Sequence, residues 1–258
     1  MRLRRQAKWV FLGLAIVFAG GFIFFGVGTG NSGLGDLFSG NLFGGGGGPS
    51  ISKLQKEVAA HPNNAQAHLE LARALIQKER EEEAIPYLER YTQLRQKDAG
   101  AWQQLAGLYL IRAQHYYDQL QAISQEAATL PGSGFVVPPG SFLEKELQKN
   151  PFYKAVSQDI ARRQQEAQSG LTQALSQRAY AYRQAVNALP PDDTSLPGTI
   201  FAWARAAEDA QDYKTALQAY QRYLKIAPDS ALARDARAAI QRLKAILKAQ
   251  GNATGAGG

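Results

Sequence analysis

The chain has 258 residues, no cysteine, and 29 lysines and arginines against 22 aspartates and glutamates, a formal charge of +7. Arg2, Arg4, Arg5 and Lys8 supply four of the seven, and beyond Trp9 basic and acidic residues alternate, as from Lys78 to Arg90, which excludes a nucleic-acid-binding face. The lack of cysteine excludes disulfides, thiolate metal sites, cysteine nucleophiles and an acylated cysteine anchor.

Residues 1–8 form a basic tail, and WVFLGLAIVFAGGFIFFGVG at 9–28 carries no charge. Twenty such residues at about 1.5 Å each cover the roughly 30 Å hydrocarbon core of a bilayer, so Trp9–Gly28 is expected to be a transmembrane helix. A cleaved secretory signal is the competing reading, but the apolar run is long and keeps bulky Phe22, Ile23, Phe24 and Phe25 close to its end, where a signal needs small residues. Four positive charges precede the run, and the next one after it is Lys53. That asymmetry predicts a cytoplasmic N-terminus in the inner (plasma) membrane, with everything after the span periplasmic or extracellular.

Residues 29–50 continue a glycine-rich stretch, with Gly44 to Gly48 uninterrupted, and read as a flexible linker. Counted from Gly26 to Ser50, the 25 residues of this stretch have an end-to-end distance of roughly 25 to 30 Å.

From Ile51 onward alanine, leucine, glutamine, arginine and glutamate dominate and β-branched residues are sparse, so the class is all-α. Within 51–249 a period of 34 residues appears: Trp102 lies 34 beyond His68, with Leu105, Ala106 and Tyr109 following it, and Pro62 precedes the first copy. A further unit places Ala204, Tyr213, Ala216, Tyr220, Tyr223 and Pro228 in register. Ala72, Ala106 and Ala204 are small where two helices of a unit must cross. Residues 229–249 have the amphipathic pattern of a solvating cap helix, through Leu232, Ala236, Ile240, Leu243 and Ile246, and 250–258 read as a disordered tail.

The middle unit is too long for the period. Its ending, AYAYRQAVNALP, lies about 60 residues late. Apolar seams at spacings of three and four run through Trp102, Leu105, Tyr109, Tyr116, Leu120, Ile123, Ala127 and Leu130, and again through Val156, Ile160, Ala167, Leu171, Ala174, Arg178, Tyr182 and Ala185. Both helices of this unit are therefore expected to be lengthened into an antiparallel hairpin, with the insertion at about 113–177 and its tip at 131–152. The tip carries apolar Phe135, Val136, Val137, Phe142 and Leu143 in a proline-rich loop. Two readings stand side by side: these residues fold back onto the protein, or they form an exposed patch that touches a partner or a membrane.

The pattern W-x2-L-G-x2-Y at Trp102, Leu105, Ala106 and Tyr109, with prolines closing the units, resembles the tetratricopeptide repeat family. That resemblance implies an α-solenoid that binds a peptide or protein on the inner face of its first helices, here Leu69, Arg73, Gln103, Leu110, Phe201 and Arg205. The lysine and asparagine with which some family members clamp a C-terminal carboxylate are replaced by Leu69 and Arg73, so that specificity does not carry over. The layout of short tail, span and external repeats is similar to the ancillary subunit of the Sec translocon that associates with periplasmic chaperones, and also to assembly factors of cytochrome c maturation; a structural role in an envelope complex is a third reading. Partners are expected among translocon or chaperone subunits, and the shortness of the groove also admits a homo-oligomer. No cofactor, metal or catalytic constellation is expected, since His61, His68 and His115 have no metal-ligand spacing and no phosphate loop or nucleophile motif is present.

Overall fold

A computed structural model describes residues 50–129, 141–142, 146 and 149–255. The basic tail, the expected span at 9–28, nearly all of the linker, and the tip residues Phe135, Val136, Val137 and Leu143 lie outside the described residues. The chain divides into units of 1–52 and 53–258, and the second holds the helical pairs. Among the described residues no helix is long and apolar enough to cross a membrane.

Eight described helices follow one another: α1 (Ile51–Ala60), α2 (Ala65–Ile76), α3 (Glu81–Leu94), α4 (Ala99–Ala128), α5 (Pro151–Ala188), α6 (Leu196–Asp209), α7 (Tyr213–Ile226) and α8 (Ala233–Gly255). Residues 250–255, expected to belong to the tail, continue the last helix. The starts follow from capping chemistry. Asn64, Asp98, Asn150 and Asp212 each accept a backbone N–H of the first turn, which satisfies donors that have no partner within the helix. Pro151 opens α5, where its missing N–H is not needed.

The helices pack in pairs, α2 on α3, α4 on α5 and α6 on α7, and each pair packs on the next, with α8 closing the row against α7. The period seen in the sequence recurs in the hydrogen bonds. The Nε2 of His68 donates to the carbonyl of Pro62 at 3.0 Å, and 34 residues later Nε1 of Trp102 donates to Gln96 at 3.0 Å. The turns before α2 and α4 match as well, through Asn64 N to His61 O and Asp98 N to Arg95 O. Between the first and third pairs the offset is 132 residues: Arg80 N bonds Leu75 O, and Asp212 N bonds Ala207 O, both at closures where a residue enters the left-handed region, Glu79 at φ 56° and Gln211 at φ 59°. Ala72, Ala106 and Ala204 are completely buried where the paired helices cross.

At the corresponding place in the middle pair stands Ala113, buried and helical, and no turn forms. Thus α4 runs 30 residues and α5 runs 38, against 12 and 14 for the first helices of the other pairs. The surplus on α4 alone amounts to about 24 Å at 1.5 Å per residue. Along this arm Ile123, Ile160 and Ala167 form a buried seam with Tyr116, Leu120, Ala127 and Val156 around it. Ile160, Ala167, Ala174 and Ala181 recur every seventh residue on α5, presenting mostly small side chains to larger ones on α4. Arg163 spans the two helices to Glu126 at 2.8 Å.

Candidate protein-binding face

The leading helices α2, α4 and α6 carry matching rows. By the hydrogen-bond register, Leu69, Arg73 and Ile76 on α2 correspond to Gln103, Gly107 and Leu110 on α4 and to Phe201, Arg205 and Glu208 on α6. Two of these helices meet directly: Nε2 of Gln103 donates to Oγ1 of Thr199 at 2.9 Å, and that hydroxyl donates to the carbonyl of Ser195. This bond identifies the row through Gln103 as the side of α4 that faces α6.

The residues singled out in the sequence have different situations on this face. Arg73 and Arg205 are exposed, and Leu110 is 45% exposed. Leu69 is buried, and Phe201 packs edge-on against Tyr220 and Tyr223, with ring centroids 5.5 and 5.2 Å apart. These two are covered by neighbouring side chains, while the arginines and Leu110 are exposed. The row continues up the arm to Tyr117, which is also exposed.

Two contributors escaped sequence reasoning. Thr199 is a polar residue on an apolar helix, and its fixing of Gln103 needed the three-dimensional neighbour. Gly107 sits mid-helix, and a Cβ there would meet nothing within 4 Å; its offset of 34 from Arg73 was the available signal.

Of the tip residues, Phe142 is described and is 80% exposed; Phe152, at the start of α5, is 75% exposed. The other pairings on this region are structural. Arg178, largely shielded at the base of the arm, meets Asp209 of α6 at 2.6 Å and lies over the ring of Tyr182. The three histidines stand apart: His61 is in the turn before α2, His68 is bonded to Pro62, and His115 pairs with Gln119 on α4. Among the described residues no group of three or more metal-binding side chains comes together.

A tetratricopeptide repeat family model matches residues 46–111, about a quarter of the chain. Among solved structures, the chain is similar to the tetratricopeptide repeat domain of P58(IPK), with 14% identity, 79% of this chain and 61% of that chain covered, and a TM-score of 0.24. It is also similar to YrrB, a TPR protein with an unusual peptide-binding site, with 15% identity, 73% and 99% coverage and a TM-score of 0.23. Superpositions this loose add nothing to the helix register. A search of curated proteins found no match. Residues 46–111 thus match the tetratricopeptide repeat family, and the described helices beyond them continue a tetratricopeptide-like helical solenoid.

Proposed function

We propose that this protein is a membrane-tethered interaction scaffold acting on the extracytoplasmic side, which holds a peptide or protein segment on the inner face of α2, α4 and α6. The observation that carries the reading is the set Arg73, Leu110 and Arg205, exposed beside a partly buried contact, Gln103 to Thr199, that joins two leading helices. Repeat segments of this family act as interaction scaffolds, and nothing in the described side chains points to catalysis. Tethering is supported by the uncharged run 9–28 and the four cations before it. Handling of emerging or external proteins beside a translocon or chaperone is the role that this layout fits best, with assembly of an envelope complex of the cytochrome c maturation type as the alternative.

A second reading, in which the arm docks into an envelope complex, is favoured by Phe142 and Phe152. Site-specific photocrosslinkers placed at Arg73 and Phe142 in intact cells separate the two. Adducts from position 73 support the inner face; adducts from position 142 alone move the function to the arm and leave the solenoid as its mount.

A further inference from the structure

Arg73, Gly107 and Arg205 are the same position in three successive leading helices, each following the buried alanine at the helix crossing. Both arginines are exposed, and among the described residues neither guanidinium has a hydrogen bond or ion pair; Arg73 acts on Tyr91 and Arg205 on Tyr220 through charge alone. Nearby carboxylates are engaged elsewhere: Glu70 accepts from Gln66, and Glu208 is held by Tyr220 and Arg242. Among the described residues the inner face thus presents two guanidinium forks without a hydrogen-bond or ion-pair partner, one on each side of a glycine.

That glycine has no internal explanation. In a helix interior glycine is about 1 kcal/mol worse than alanine. Gly170 has a packing reason, because a Cβ would stand 2.3 Å from the ring of Tyr116, but Gly107 opens onto space in which no described atom lies within 4 Å of a Cβ. Room of that kind allows another backbone to come close.

We propose that the inner face binds an extended peptide through two acidic side chains, one on Arg73 and one on Arg205, with the peptide backbone passing over Gly107. The proposal rests on the inner-face reading and names the chemistry of its ligand. Packed helices stand about 8 to 10 Å apart; taken at its upper end for each step from α2 to α4 to α6, which pack chiefly on the helices between them, that spacing separates the two cations by roughly 20 Å at the backbone. An extended chain advances about 3.3 Å per residue, which places the two acidic residues about five or six positions apart. Each guanidinium can take its carboxylate through two parallel N–H···O bonds, and Leu110 beside Gly107 accommodates an apolar residue between them.

The test is fluorescence anisotropy on the full chain with two labelled, C-terminally amidated nonapeptides. One carries glutamate at its second and seventh positions; the other carries glutamine there. The glutamate peptide is expected to bind about tenfold more tightly, with an affinity that falls as salt is added. Arg73→Gln and Arg205→Gln each weaken it about three- to fivefold and flatten the salt dependence. Gly107→Leu, whose Cβ meets no described atom within 4 Å, is expected to leave the circular dichroism unchanged and to remove binding. Equal affinity for the two peptides, both still blocked by Gly107→Leu, overturns the acidic recognition and keeps the groove. Binding untouched by Gly107→Leu overturns the groove reading with it, and no binding of the glutamate peptide up to millimolar concentration overturns the proposal outright.

Discussion

Gly170 on α5 lies so close beneath the ring of Tyr116 on α4 that a Cβ added to it would stand 2.3 Å from the ring's Cζ and 2.4 Å from one Cε. The arm owes its close helix approach to this contact and to Ala167 and Ala174, which flank it one turn away on either side. Gly170→Ala recovers about 1 kcal/mol of helix propensity but displaces the ring, and overpacking of this kind costs about 1 to 3 kcal/mol. The expected result is faster amide exchange across residues 113–127 and 160–174, with α6 and α7 unchanged. Adding Tyr116→Leu restores protection. Greater protection in Gly170→Ala alone contradicts the packing account.

Glu79 and Gln211 close the first and third pairs in left-handed backbone that favours glycine. Glu79→Gly and Gln211→Gly are each expected to raise stability by about 0.5 to 1 kcal/mol, because relief of the left-handed strain outweighs the added freedom of the unfolded chain. The two sites lie in different pairs, so their effects on the chemical denaturation midpoint are expected to add.

Tyrosines make stability fall in alkali. Burial, and then the hydrogen bond from its hydroxyl to Glu89 at 2.5 Å, push the Tyr109 phenol upward; burial followed by the charge of Glu208 does the same for Tyr220. The hydrogen bond to Asp98 raises Tyr91. A phenol that ionises more readily in the unfolded chain contributes stability that is whole below about pH 10 and declines as pH rises from there toward the raised folded value. Urea denaturation at about pH 9 and pH 11 therefore shows a drop, and Tyr109→Phe shows a smaller one. An equal drop in Tyr109→Phe removes this phenol from the account.

The repeat was legible because a close helix crossing favours small residues, and Ala72, Ala106 and Ala204 recur at it in register. The long arm was legible from its seam, since Tyr116, Leu120, Ile123 and Ala127 keep the spacing past the point where the other pairs turn. His68 stands where the next unit has Trp102, and its ring makes the same bond to a turn carbonyl that Trp102 makes. Sequence alone does not show which nitrogen of a ring reaches which carbonyl. The left-handed turns carried no glycine to announce them, and the division of the inner face into covered and exposed residues depends on how far the following helices cover Leu69 and Phe201.

The claim that the inner face is the working surface is tested most directly by photocrosslinking from position 73 in intact cells, with and without Gly107→Leu. The protein adducts at position 73 are predicted to disappear when Gly107→Leu fills the centre of the face, while the level and helicity of the protein stay the same. Adducts that persist unchanged in the Gly107→Leu background would place the partner elsewhere and contradict the assignment.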